Sequence, residues 1–176
     1  MEHAILIAGS LALFTSTAFA QDMDQFRSEL AGLDGQWAGV LEYRDFRTDQ
    51  HVQIPHARTI QTAPDGSYQL TQMEFTDPGY RVYSAELATF DGNTIALAYA
   101  GNGEASVSEL TLIDFELTDA GWRAELRGEG VDAGEAVDVR FIYELDGDEL
   151  TADKSVRSSD ADPFLFRNGI RVSPND

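Results

Sequence analysis

The sequence predicts an all-β protein, an antiparallel up-and-down barrel of about ten strands preceded by a short helix. Three observations predict it. From Gly35-Gln36-Trp37-Ala38-Gly39 onward, residues alternate between two faces, with Trp37, Gly39, Leu41 and Tyr43 on one and Ala38, Val40, Glu42 and Arg44 on the other. That is the period of a strand with one side buried. The same rhythm recurs down the chain in short runs separated by turn chemistry. A flat sheet of so many strands would leave two bare edges and a doubly exposed face, and closure removes both.

The chain begins in a different material. Residues 4–20 are apolar apart from Ser10, Thr15, Ser16 and Thr17, and end in Ala18-Phe19-Ala20. Small residues three and one positions before Gln21 fit a secretory cleavage site, although Met1-Glu2-His3 lacks the usual Lys or Arg. The run is short for a membrane span and carries polar breaks. Residues 1–20 therefore read as a leader and residues 21–176 as one exported domain without a stable membrane anchor, most simply in the periplasm. Residues 24–33 read as a helix, since Phe26, Leu30 and Leu33 recur at helical spacing, Asp22 or Asp24 can cap the start and Gly32 suits the exit. It is too short to stand alone and is expected to lie across one end of the body.

The strands then follow in sequence: 37–46, 51–62, 68–75, 80–90, 94–99, 107–117, 122–127, 136–145, 149–157 and 164–172. Pro64-Asp65-Gly66, Asp77-Pro78-Gly79, Asp91-Gly92-Asn93, Gly101-Asn102-Gly103 and Asp146-Gly147-Asp148 supply turns between them. Pro55 marks a bulge or an edge in the second strand. The formal net charge is −19, from 31 acidic and 12 basic residues. Such a surface repels nucleic acid and anionic lipid headgroups, which removes both from the expected partners. With no cysteine, disulfides, thiol catalysis and thiolate metal sites are unavailable even after export.

Gly35-x-Trp37 at the start of the first strand, behind a short helical segment, resembles the lipocalin and fatty-acid-binding (calycin) superfamily, and the strand count extends the likeness over residues 24–172. The resemblance implies a barrel around a small hydrophobic ligand, with Gly35 and Trp37 as its structural motif. It also implies an Arg of the last strand packed over the motif Trp. Arg167, in Phe164-Leu165-Phe166-Arg167-Asn168, matches that role, with Arg171 in reserve, and a guanidinium over an indole is a favourable contact in its own right. The disulfide of many secreted lipocalins is impossible here and their C-terminal helix is absent, so the chain resembles a short bacterial lipocalin-like domain. Gly35-x-Trp37-x-Gly39 is also similar to the start of the haem-binding nitrobindin barrel. Leu41 stands where that motif has a further Gly, and no His follows His56 to serve as the late-strand haem ligand.

His51 and His56 fall on opposite faces of a regular strand, and they share a metal only if Pro55 supplies a bulge. Without a third ligand the pair is thin for zinc, so one reads as a surface residue and the other as a hydrogen-bonded interior or rim group, with His56 kept among the candidate ligand contacts. Arg58 shares its face with Val52, Ile54, His56 and Ile60, and Lys154 with Leu150, Ala152 and Val156. Both cations point inward, where an unpaired charge is costly. They either pair with Glu74 or Glu86, whose own faces mix apolar and polar residues, or they meet a ligand's carboxylate in a wet cavity, helped by Tyr43 and Tyr143. Trp122, Ala124 and Leu126, with Val137, Val139, Phe141, Tyr143 and Leu145, form inner faces that serve as core first and cavity lining second.

Catalytic signatures are absent: there is no Gly-x-Ser-x-Gly, no His-Glu-x-x-His and no phosphate-binding glycine loop. Asp146-Gly147-Asp148-Glu149 and Asp160-x-Asp162 lack the spacing of a dedicated calcium loop. The expectation is an exported, non-catalytic protein that binds a small hydrophobic or amphipathic molecule, such as a fatty acid, a pigment or a similar carboxylate. The tail would lie on Trp122, Phe141 and Leu126 and the head near Arg58 and Lys154, with no cofactor or metal called for. Its rivals are an enzyme or haem-dependent activity on the same barrel, and a structural envelope protein whose barrel is filled.

Overall fold

Strand alternation and turn glycines together dictate the architecture. The computed structural model describes residues 14–45, 47–77, 79–132 and 134–175, with side chains from Asp22 onward except at Asp77. Residues 1–13, which hold most of the expected leader, and Phe46, the expected end of the first strand, lie outside these. Ten strands follow the helix α1 (Phe14–Ala31): β1 Gly35–Asp45, β2 Gln50–Thr62, β3 Tyr68–Asp77, β4 Tyr80–Asp91, β5 Thr94–Gly101, β6 Glu104–Leu117, β7 Gly121–Asp132, β8 Glu135–Asp146, β9 Glu149–Arg157 and β10 Leu165–Pro174. Each pairs antiparallel with its predecessor, and β10 returns to β1, with Trp37 opposite Pro174 and Tyr43 opposite Asn168. The sheet is a closed barrel and keeps no edge.

Two-residue turns such as those at Gly92 (φ 59°) and Gly147 (φ 60°) need the left-handed backbone that glycine adopts without strain. Inside, β7 gives Trp122, Ala124 and Leu126 to the buried core, as its alternation predicts. β2 runs in unbroken register from Gly35 opposite Ile60 to Asp45 opposite Gln50, so Pro55 makes no bulge. His51 and His56 therefore stay on opposite faces. Gly39 permits the close approach of β1 to β10, because a Cβ there would sit 2.1 Å from the Arg171 carbonyl oxygen.

The helix is longer than the sequence suggests. Among the described residues it reaches back to Phe14, beyond residue 24, because no Gly or Pro separates residues 14–20 from the amphipathic stretch. The expected cleavage point after Ala20 thus falls within α1. Its described side chains plug one end of the barrel. Met23 and Phe26 are almost wholly buried, and the Phe26 ring stands edge-on to Trp122 at 5.7 Å and tilted to Phe115 at 5.8 Å. Hydrogen bonds tie the exit of the helix to the strands. Gln69 Nε2 donates to the Leu30 carbonyl in the last turn of the helix and Trp37 Nε1 to the Leu33 carbonyl just beyond it, both at 2.8 Å. Arg27 Nη2 donates to the Gly66 carbonyl at 2.8 Å.

The expected stacking of Arg167 on Trp37 does not occur. Because β1 and β10 run antiparallel, Trp37 lies beside Pro174 at the plugged end, whereas Arg167 lies at the far end, in a bulge between Phe166 and Asn168. There it donates to Asp132 Oδ1 at 2.9 Å and to the Arg44 carbonyl at 3.0 Å. Arg171 is no substitute, since it is largely exposed and pairs with Glu149 at 3.1 Å. The turn after the helix, through the Leu33 carbonyl, accepts the indole N–H of Trp37 instead. Phe26→Ala is expected to cost about 3–5 kcal/mol in equilibrium urea unfolding, as for a large aromatic removed from a packed core. A cost below about 1 kcal/mol would show that the helix does not seal the barrel.

Candidate functional site

A hollow lies between the plug and the middle of the barrel. Its volume is about 50 Å³, room for roughly three or four water-sized groups. The end toward α1 is apolar, with Phe26, Leu30, Phe90, Ile95 and Leu150 among its walls, and the opposite side carries Arg58, Glu86, Tyr143 and Thr71. These four come from four different strands, β2, β4, β8 and β3. Alternation turns each inward, and the ladder sets Thr71 opposite Glu86.

Arg58 is fixed from behind. Its Nε donates to His56 Nε2 at 3.1 Å, and His56 Nδ1 lies 3.2 Å from the Glu74 carbonyl. A carbonyl only accepts, so the imidazole holds its proton on Nδ1 and offers the Nε2 lone pair to the guanidinium. The ring is 2 % exposed and stacks on Phe75 at 4.7 Å. Burial, with the Arg58 charge beside it, pulls the His56 pKa down to about 4. One edge of Arg58 is committed to His56, and the residue lines the hollow.

Burial also works against the charges that share this interior. It pushes the Glu86 carboxyl up from its ordinary value, with Arg58 and then Lys154 acting in the opposite direction. It pushes the Tyr143 hydroxyl up, so Tyr143 is a neutral donor. No carboxylate oxygen among the described residues comes within 4.0 Å of Arg58 or Lys154. Glu86 and Arg58 face one hollow as opposite charges that do not touch.

Of the residues singled out in the sequence, Arg58, Tyr143 and Leu126 meet at the hollow. His56 stands behind Arg58. Lys154 sits farther toward the other end, its Nζ 5.9 Å from the centre of the Phe141 ring, and burial lowers its pKa while Asp132 opposes that shift. Tyr43 is half-buried near the same end, opposite Val52 and Asn168. Trp122 is 0 % exposed and packed beneath α1, so it offers no surface to a ligand tail. Arg58 and Lys154 therefore do not share one pocket. Between the two carboxylates left open by the sequence, Glu86 is the inward one. Glu74 stands opposite Tyr83 and pairs with Arg81 at 3.0 Å. Gln69 and Thr71 also reach the interior although neither stands out in the sequence, for the inner face of β3 is polar near the plug. Among the described residues, no group of three or more His, Asp or Glu is placed to hold a metal ion.

No family model matches the chain, and no curated protein does. Among solved structures it is similar to the crystal structure of Rv2717c from M. tuberculosis, with 14% sequence identity and a TM-score of 0.62 over 85% of this chain and 96% of that one. At this identity the likeness concerns the fold alone.

The folded His56 takes up its proton near pH 4, whereas the unfolded residue does so near 6.5. Between those values the unfolded chain binds more protons, so this group's contribution to stability is lost as pH falls, by roughly 3 kcal/mol across the window. Imidazole NMR should show His56 as the neutral Nδ1–H tautomer down to about pH 4. A midpoint near the ordinary value would mean that His56 does not support Arg58.

Proposed function

We propose that the chain is an exported, lipocalin-like barrel that binds a compact amphipathic carboxylate and performs no chemistry on it. The observation that carries this reading is the guanidinium of Arg58, held by His56, deep in the barrel and facing a hollow with no carboxylate in contact. A buried cation without a partner is costly, and an anion seated against it offsets that cost through charge-assisted hydrogen bonds. Tyr143 and Thr71 supply further donors, and the apolar wall formed by Phe90, Ile95 and Leu150 receives the rest of the molecule. A volume of about 50 Å³ favours short or branched acids and small aromatic acids over long-chain fatty acids and pigments. Lys154, nearer the far end, attracts an anion on its way in.

Export is consistent with the packing. The plug residues Met23, Phe26, Leu30 and Leu33 all follow the expected cut after Ala20, so a cleaved chain keeps its seal. The small size of the hollow favours one alternative, a structural protein whose barrel is filled and carries no cargo.

Calorimetric titration with butyrate, octanoate and benzoate separates the two, together with solvent extraction and mass spectrometry of protein taken from its native compartment. A carrier is expected to release a stoichiometric acid, to prefer the compact ligands and to lose affinity about tenfold or more on Arg58→Met. An empty extract and no heat with any of the three acids would leave the filled barrel. Unchanged affinity in Arg58→Met would remove that residue from the site.

A further inference from the structure

Glu86 is the group that the carboxylate site does not obviously need. It lies on β4 inside the same hollow as Arg58, and the groups around it are few. Thr71 on β3 and Tyr99 on β5 stand opposite it in the ladder, and Ser84 precedes it on the same face of its own strand. Across the interior its charged or titratable neighbours are Arg58 on β2, Tyr143 on β8 and, more weakly, Lys154 on β9. The described side chains that α1 contributes to the hollow are apolar. No hydrogen bond or ion pair within 4.0 Å occupies the Glu86 carboxylate.

A ligand carboxylate placed against Arg58 in so small a space has Glu86 as its neighbour. Arg58 balances one negative charge, and two carboxylates would face it. Two carboxylates sharing a desolvated site do not both stay ionised, and one keeps a proton. We propose that the acid bound at Arg58 and Glu86 share a single proton, so that binding of the anion is coupled to uptake of a proton from solvent. The balance is explicit: one ligand carboxylate and one solvent proton enter, the proton bridges the ligand and Glu86, and Arg58 neutralises the remaining charge. No bond between heavy atoms changes. Burial already disfavours the ionised form of Glu86 in the empty barrel, which lowers the cost of adding that proton.

This inference rests on the proposed carboxylate site, and titration across pH 5.5–8.5 tests it while keeping the two separable. In that window free benzoate is ionised, His56 is neutral and Tyr143 is protonated. Benzoate affinity for the full chain is expected to tighten toward tenfold for each unit of falling pH, with matching proton uptake in buffers of different ionisation enthalpy. In Glu86→Gln the amide supplies the donor permanently, so benzoate should bind with affinity independent of pH, close to the low-pH value of the unaltered chain. Lys154→Gln should keep the slope, because Lys154 lies outside the hollow. A pH-independent affinity in the unaltered chain, an unchanged slope in Glu86→Gln, or a slope lost in Lys154→Gln would each overturn the coupling while leaving the binding site intact. Absence of benzoate binding at every pH would overturn both.

Discussion

Phe26 set edge-on against Trp122 turns a ring of strands into a vessel. A barrel is closed in the plane of its hydrogen bonds but open along its axis, and water entering from both ends would solvate every interior charge. The helix removes that possibility at one end, and the bonds from Gln69 to its last turn and from Trp37 to the turn that follows hold it there. Behind the plug the walls are mostly apolar, broken by Gln69 and Thr71 on β3. The desolvation felt by Arg58, Glu86, Tyr143 and His56 follows from this seal. So does the tautomer of His56, because a buried imidazole between a guanidinium and a carbonyl has one workable arrangement of its proton.

The strands were legible because their signal is local. Trp122, Ala124 and Leu126 alternate cleanly with charged residues, and Asp91-Gly92-Asn93 or Asp146-Gly147-Asp148 can hardly be anything but turns. The inward aim of Arg58 followed from the same count of two. What escaped was non-local. Glu74 and Glu86 sit in similar surroundings in sequence, and only the pairing of β3 with β4 sends one outward to Arg81 and the other into the hollow. The place of Arg167 is hidden in the sequence for a related reason. Its distance from Trp37 depends on strand direction and on the bulge before Asn168, neither of which the family likeness resolves. The start of α1 was hidden because leader and helix share apolar residues without a breaker between them.

The outer surface manages its scarce basic residues in an instructive way. Arg127 and Arg140 are cross-strand neighbours on β7 and β8, a pairing of like charges that is ordinarily destabilising. Here Arg127 is bound by Glu125 at 2.6 Å, and Arg127, Arg140 and Arg157 all approach the ring of Phe164, with guanidinium carbons 4.7–5.7 Å from its centre. Arg157 also pairs with Asp138 at 2.8 Å. The aromatic face and the carboxylates together offset the repulsion, and the segment leading into β10 is fastened to the barrel wall at Phe164 in consequence.

Sealing the ring through β1 and β10 also imposes an order of events. The partner of the earliest strand is the latest one made, so a growing chain can extend its meander but cannot finish it. Until the final segment emerges, β1 and the most recent strand both present unpaired backbone, and the interior stays wet. A polypeptide built this way keeps an unpaired edge until β10 is made. The same delay makes truncation near the carboxyl terminus far more damaging than its few residues would suggest, because it removes the stave that holds the hoop.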